Sequence, residues 1–290
     1  MTDIITALNQ AKQILKKNGI EDPLRDCEII LGQELKKCRV QLYIDKNKVL
    51  SKKILSSFRK KISKRASRVP LAYVTGNTNF MGFDFFVDKN VLVPRQETEL
   101  LVEKVIEVLK PLQKKKVFIL DIGTGCADIA VSIAKLLKNS KVYASDISSK
   151  ALMVAKKNAV LNKVKNKITF LKGNLFEPCK KIKQKFDLIV SNPPYVPSNE
   201  IDRLQKELQF EPRIALDGGK DGLDFYRKLV NEAPLYLKKN GCLVFEIGIG
   251  QAKKIEQIIK EEKKFEKAQI FKDYGSIERI ICVFLKKQKG

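Results

Sequence analysis

The sequence predicts an α/β protein, a parallel, doubly wound sheet that follows a small helical domain. From residue 117 onward, short apolar runs alternate with stretches of helical periodicity, as parallel strands joined by crossover helices require. Strands are expected near 117–121, 141–146, 168–172, 186–191 and 242–247, and helices near 127–138, 149–162, 222–239 and 250–262. The tail departs from this alternation. Residues 268–274 and 278–285 read as two consecutive strands around Gly275, an antiparallel hairpin that brings the sheet to seven strands.

The first 70 residues have a different period. Ile4, Ile5, Leu8, Ala11, Ile14 and Leu15 recur at helical spacing. Gly19 suits a helix end, and Pro23 suits the start of the next. Leu31, Leu35 and Leu42 suggest further short helices. From Lys52 to Arg68, basic residues alternate with Ile54, Leu55, Phe58 and Ile62, which reads as one amphipathic helix with a solvated basic face. No catalytic grouping occurs here, so residues 1–70 are read as a helical substrate-recognition domain. Between Pro70 and Pro94, aromatic and β-branched residues crowd around Gly76 and Gly82, which predicts a β-hairpin linker over 71–95. A helix over 96–110 then leads into the α/β domain, 96–290.

Composition removes several chemistries. The chain of 290 residues contains no histidine, and its six cysteines form no C-x-x-C pair. A zinc site and histidine-based acid–base catalysis are therefore not expected. Scattered cysteines fit a reducing, cytoplasmic setting, and neither a membrane span nor a signal peptide is expected. The net charge is +24, with lysines in every segment, including Lys114-Lys115-Lys116. Such a charge fits contact with nucleic acid or ribosomes, and it fits equally a general lysine excess on the surface.

Three strand ends carry the chemistry. The run 117–121 meets Gly123-Thr-Gly125, where glycines allow a tight turn and close approach of a ligand. A dinucleotide fingerprint would need a third glycine at the position of Asp128, so a cofactor without a pyrophosphate fits better. The next strand ends in Asp146, about 20 residues further on, the spacing at which an acid takes ribose hydroxyls. The fourth strand ends in Asn192-Pro193-Pro194-Tyr195. The Asn192 side-chain oxygen can accept one N–H. The Pro193 carbonyl, on a backbone whose φ is fixed, can accept a second, and Tyr195 offers a flat face beside a planar group. An amide or exocyclic amine suits such a grip. Together the three ends indicate an S-adenosylmethionine-dependent methyltransferase.

The chain also resembles the PrmC/HemK family of protein-(glutamine-N5) methyltransferases, which act on peptide-chain release factors. The resemblance covers nearly the whole length. It rests on Val69-Pro-Leu-Ala-Tyr-Val-Thr-Gly76, Phe80-Met-Gly-Phe-Asp-Phe-Phe86, Leu92-Val-Pro-Arg-Gln-Glu-Thr-Glu99, Asp121-Ile-Gly-Thr-Gly125, Asp146-Ile-Ser148, Ser191-Asn-Pro-Pro-Tyr195, Glu211-Pro212, Gly218-Gly-Lys-Asp-Gly-Leu223 and Glu246-Ile-Gly248. Asn-Pro-Pro-Tyr alone is shared with DNA adenine and RNA guanine methyltransferases, whereas Leu-Val-Pro-Arg with Asp-Gly-Leu is more specific. Three positions depart from the family pattern: Gln96 replaces a usual Pro, Ala127 a usual Gly, and Leu175 an aromatic found in some members. Ala127 suits the turn provided its φ is negative.

The resemblance implies a Rossmann-like seven-stranded methyltransferase domain and S-adenosyl-L-methionine as cofactor. Asp121, Gly123, Thr124, Gly125, Cys126 and Ala127 would surround its methionine part, Asp146 its ribose, and Asn174 and Leu175 its adenine, with Asn192 beside the methyl. Asn192, Pro193, Pro194 and Tyr195 would hold the substrate amide. The implied partners are release factors, methylated on the glutamine of Gly-Gly-Gln in support of translation termination, with no stable nucleic-acid partner and no membrane. Arg95, Glu97 and Glu99 would lie near the site, although acids in a first turn also suit an ordinary helix start.

Overall fold

The computed structural model describes residues 2–112 and 115–287. Lys114, named above in a basic run, lies outside the described residues. The chain divides into two units: the residues up to Asn77 together with Gln205–Phe210, and Thr78–Leu204 together with Glu211–Gly290.

The first unit is helical: α1 (Ile4–Lys17), α2 (Pro23–Leu35), α3 (Arg39–Ile44), α4 (Lys52–Ala66) and α5 (Leu71–Thr75). Asp3, Asp22 and Ser51 cap α1, α2 and α4 by accepting backbone N–H groups of the first turn. Ile4, Leu8 and Leu15 pack with Ile30, Leu31, Phe58 and Ile62 into one core. The end of α4 is not the solvated basic face that its composition suggests. Arg65 is buried and donates from Nε to Asp26 Oδ2 at 2.7 Å. Glu207 accepts from Arg65 at 3.1 Å and from Arg68 at 2.8 Å, which holds the Gln205–Phe210 segment in this unit. Because Arg65 and Asp26 are buried together, removing one would leave its partner uncompensated.

A short hairpin follows, β1 (Asn77–Phe80) and β2 (Phe83–Phe86). It is shorter than the 71–95 span expected from composition, because residues 71–75 form α5. The second unit continues with α6 (Glu97–Leu109), β3 (Val117–Ile122), α7 (Asp128–Leu136), β4 (Ser140–Asp146), α8 (Ser149–Leu161), β5 (Ile168–Lys172), β6 (Phe186–Ser191), α9 (Asp224–Glu232), β7 (Leu237–Glu246), α10 (Ala252–Glu262), β8 (Gln269–Lys272) and β9 (Glu278–Phe284). The sheet order is β5-β4-β3-β6-β7-β9-β8, parallel from β5 through β7 and antiparallel at β9 and β8.

Side chains alternate faces along a strand, and this alternation creates two cores. Val117 and Ile119 of β3 pack with α6, α7 and α8, while Leu120 and Ile122 pack with α9 and α10. With both faces covered, the central strands read as unbroken apolar runs. Strand order reverses between β4 and β6, on either side of β3. In doubly wound sheets, ligands bind beyond the carboxyl ends of the strands at such a reversal.

Another expected element is wrong in extent. The helix expected over 222–239 ends at Glu232, and a 3₁₀ turn at Ala233–Leu235 leads into β7, five residues earlier than the strand was placed. Pro234 lacks the N–H needed to continue the helix, and Leu237 pairs with Phe186 instead. The long loop over 196–220 also has structure of its own: three 3₁₀ turns and a parallel bridge from Val196 to Asp217. Among the described residues, no helix is long and apolar enough to cross a membrane, and no group of three or more acidic or cysteine side chains is arranged to hold a metal.

Candidate active site

A cleft of about 840 Å³, counting its open mouth, lies at the carboxyl ends of β3, β4, β5 and β6. Gly123 and Gly125 come from the turn after β3, Asp146 from β4, Asn174 and Leu175 from beyond β5, and Asn192, Pro193 and Pro194 from beyond β6. Residues 90–92 and Pro212, Ile214 and Ala215 complete the wall. The structure thus brings eight of the expected site residues to one opening. Asp121, Thr124, Cys126, Ala127 and Tyr195 do not line it. The first four are buried in and just before the glycine turn, and Tyr195 packs half-buried against the core beside Tyr226 and Phe245.

The turn is built from left-handed backbone. Gly123 and Gly125 have φ of +71° and +53°, and a side chain at either would point into open space. That space is what a ligand lying close against the backbone requires. Ala127 also has φ of +66°, so the condition of a negative φ is not met. A Cβ in this region costs on the order of 1–2 kcal/mol, so the alanine is held there by its surroundings. Its N–H donates to Thr124 O at 2.7 Å, and its carbonyl starts α7. Asn158, fully buried on α8, donates from Nδ2 to Cys126 O and to Phe86 O, both at 2.9 Å. Leu175 is left-handed too, with φ of +46°.

The two strand-end acids differ. The Asp146 carboxylate accepts the N–H of Gly125 at 2.9 Å and that of Ser148 at 2.8 Å. Burial raises its pKa, and those two N–H groups oppose the shift. Asp121 is fully buried. One of its oxygens accepts from the Thr124 hydroxyl at 2.5 Å, and the other has no partner. Burial pushes this carboxyl up to about 8 against the Thr124 hydrogen bond.

The Asn-Pro-Pro-Tyr segment is braced from two sides. Asn192 Nδ2 donates to Thr98 Oγ1 at 3.1 Å, and Thr98 Oγ1 donates to Glu246 Oε2 at 2.6 Å. In this arrangement the Asn192 NH₂ faces Thr98, which leaves its oxygen available to a donor. On the other side, Gln251 Nε2 donates to Tyr195 O at 3.0 Å, while Gln251 Oε1 accepts from Gly248 N at 3.0 Å. Burial pushes the Tyr195 phenol up to about 12, and the Glu246 charge adds to the shift.

Sequence reasoning missed Thr98, Glu246 and Asn158 as supports. Glu246 did carry a signal, since it is an acid ending an apolar strand, as Asp121 and Asp146 are. Arg95, left open above, pairs with Glu211 at 2.5 Å, and Glu211 also accepts from Val93 N at 3.2 Å. Arg95 therefore fastens the two wall segments of the cleft together. Glu99 accepts from Met81 N at 2.5 Å and holds the hairpin turn. Glu97 starts α6.

This topology, with its cleft at the strand reversal, is that of the Rossmann-like methyltransferases, the class that takes its methyl group from S-adenosylmethionine. A methyltransferase from Pyrococcus furiosus shares the fold at a TM-score of 0.51 and 21% identity, covering 79% of this chain and 98% of that one. Residues 6–76 match the PrmC N-terminal domain, and residues 96–211 match the methyltransferase small domain. The release factor glutamine methyltransferase of Geobacter sulfurreducens is 41% identical over 86% of this chain and 85% of its own length. That of Clostridium acetobutylicum is 37% identical over 95% of this chain and 96% of its own. The chain belongs to the release factor glutamine methyltransferase family.

Proposed function

We propose that the protein methylates the side-chain amide nitrogen (N5) of the glutamine in the Gly-Gly-Gln motif of release factors. The observation that carries this reading is the Asn192 amide, pinned through its nitrogen by Thr98 so that its oxygen is offered as an acceptor. An acceptor there suits a group that presents N–H and has no free basic lone pair, as a carboxamide does.

S-adenosylmethionine fits the cleft on three counts. Gly123 and Gly125 leave room against the backbone. Asp121 holds a buried oxygen without a partner beneath them. Asp146 presents a partly exposed carboxylate at the cleft. When bound, the cofactor supplies an electrophilic methyl on a sulfonium. We assign the glycine turn, with Asp121, Thr124, Cys126 and Ala127 behind it, to the methionine part, Asp146 to the ribose, and Asn174 and Leu175 to the adenine. Asp146→Ala is expected to weaken S-adenosylmethionine binding about 10- to 100-fold, the loss of a charge-assisted hydrogen bond of roughly 1.5–3 kcal/mol. Calorimetry that finds unchanged affinity would remove Asp146 from this role.

An amide nitrogen is a poor nucleophile because its lone pair is delocalised into the carbonyl. The Asn192 oxygen and the Pro193 carbonyl accept its two N–H groups, favour pyramidalisation and aim the lone pair for in-line attack. Positive charge grows on that nitrogen during transfer, and acceptors fixed where charge develops lower the barrier. Tyr195 and Pro194 flank the amide plane. No strong base is required, since a protonated, methylated amide is very acidic and loses its proton late. This agrees with a chain that has no histidine.

We assign substrate recognition to the helical unit, which matches the PrmC N-terminal domain. The reading is tested by incubating the protein with labelled S-adenosylmethionine and either release factor, tRNA, rRNA or DNA. Digestion and mass spectrometry are expected to find the methyl on the Gly-Gly-Gln glutamine. Label in nucleic acid alone would overturn the proposal.

A further inference from the structure

We propose that Glu246, acting through Thr98, is the positioning residue that sets which end of the Asn192 amide faces the acceptor nitrogen, and that its charge state switches that setting. The inference rests on the proposed function for the identity of the acceptor. It does not depend on that reading for the relay itself.

The three groups come from three elements. Thr98 lies in the first turn of α6, where its own N–H donates to Arg95 O at 3.1 Å. Glu246 ends β7, paired with Ile280 of β9, and its carbonyl accepts from the Tyr226 hydroxyl at 3.0 Å. Asn192 directly follows β6. Thr98 is 1% and Glu246 2% exposed, so water does not compete for the relay.

The direction of the relay follows from proton counting. A hydroxyl has one proton to give and lone pairs to receive. An ionised Glu246 can only accept, so the Thr98 hydroxyl donates its hydrogen bond to it over the 2.6 Å contact. Thr98 can then only accept from Asn192, which must present its NH₂ and turn its oxygen the other way. A protonated Glu246 is itself a donor. It can donate a hydrogen bond to the Thr98 oxygen, whose own O–H is then free to point at Asn192. The amide can now rotate so that its oxygen faces Thr98 and its NH₂ faces the cleft. An NH₂ meeting the N–H groups of a substrate amide repels them, and the acceptor is lost.

Burial pushes the Glu246 carboxyl up to about 7; the Thr98 hydrogen bond and Arg279 oppose the shift, while Asp128 and Glu97 add to it. Tyr195 and Tyr226 also face this carboxylate, and their burial raises both phenols, so they stay neutral while Glu246 titrates. The relay is therefore held in its productive direction above neutrality, and that constraint is lost as pH falls through that region. Activity should show an acid limb near neutral pH although the chain has no histidine.

The test uses the full chain with Thr98→Val, Thr98→Ser and Glu246→Gln. Thr98→Val is expected to lower kcat about 10- to 100-fold, with the calorimetric Kd for S-adenosylmethionine within about twofold of wild type. Thr98→Ser, which keeps the hydroxyl, should recover most of that loss. Glu246→Gln should abolish the acid limb of the kcat–pH profile. Independently of any acceptor, the Asn192 side-chain NH₂ signal in a ¹⁵N–¹H spectrum should titrate near neutral pH in wild type and not in Glu246→Gln. If wild type fails to methylate Gly-Gly-Gln, the proposed function falls, and this titration still judges the relay. Near-normal kcat in Thr98→Val, an unchanged acid limb in Glu246→Gln, or an Asn192 signal that does not respond to pH would each overturn the inference.

Discussion

Asn192→Ala is expected to reduce kcat by about 100- to 1,000-fold, the effect of removing one preorganised group from a site of developing charge. In the proposed mechanism the Asn192 oxygen is the acceptor whose partner gains positive charge in the transition state, so its loss should fall on kcat more than on substrate KM. Cofactor affinity should change little, because the glycine turn and Asp146 hold the rest of the cleft without it. The substitution also leaves Thr98 Oγ1 without its donor from Asn192 Nδ2, now 3.1 Å away. Thr98 still donates to Glu246 at 2.6 Å, so the loss of stability should be no more than about 1–2 kcal/mol. Single-turnover rates and a calorimetric titration separate the two effects. A variant with near-normal kcat would show that Asn192 does not grip the acceptor.

The second large effect is expected from Gly222→Ala, a change that removes no functional group. Gly222 has φ of +75°, and a Cβ there would lie 2.4 Å from Tyr195 O and 2.7 Å from Gln251 Nε2. The Tyr195 carbonyl is backbone and cannot swing aside, and Gln251 is already committed to Tyr195 and Gly248. The methyl must therefore displace the end of the Asn-Pro-Pro-Tyr segment. Left-handed strain alone costs roughly 1–3 kcal/mol, and the clash adds to it. Unfolding at lower denaturant is expected, together with a fall in kcat in the fraction that remains folded. Gly218, whose Cβ would meet Tyr195 Cα at 2.8 Å, should behave similarly. An unchanged midpoint and unchanged kcat in Gly222→Ala would mean that the Gly-Gly-Lys-Asp-Gly-Leu segment does not brace the site.

The outcome at individual residues shows what each kind of reading can reach. Asp146 and Asn192 were legible because each ends an apolar run and so must emerge at the edge of a buried sheet. The backbone of Ala127 is not legible from its type, which suits a negative φ, whereas the turn from Gly125 into α7 demands φ of +66°. Arg65 was placed on a solvated face by its neighbours' charges, yet it lies buried between Asp26 and Glu207. The helix expected over 222–239 was overextended because its apolar spacing continues past Pro234 into a strand.

By itself the sequence determined the layered architecture and the three strand ends that meet at the candidate cleft, since burial on one or both faces imposes a period that can be read locally. Only the tertiary structure decided how that chemistry is held. Thr98 and Asn192 are 94 positions apart, and Thr98 and Glu246 are 148 apart. A hydrogen bond needs donor and acceptor within about 3 Å and suitably aligned. No local period records that meeting, which exists only once α6 and the ends of β6 and β7 have packed together.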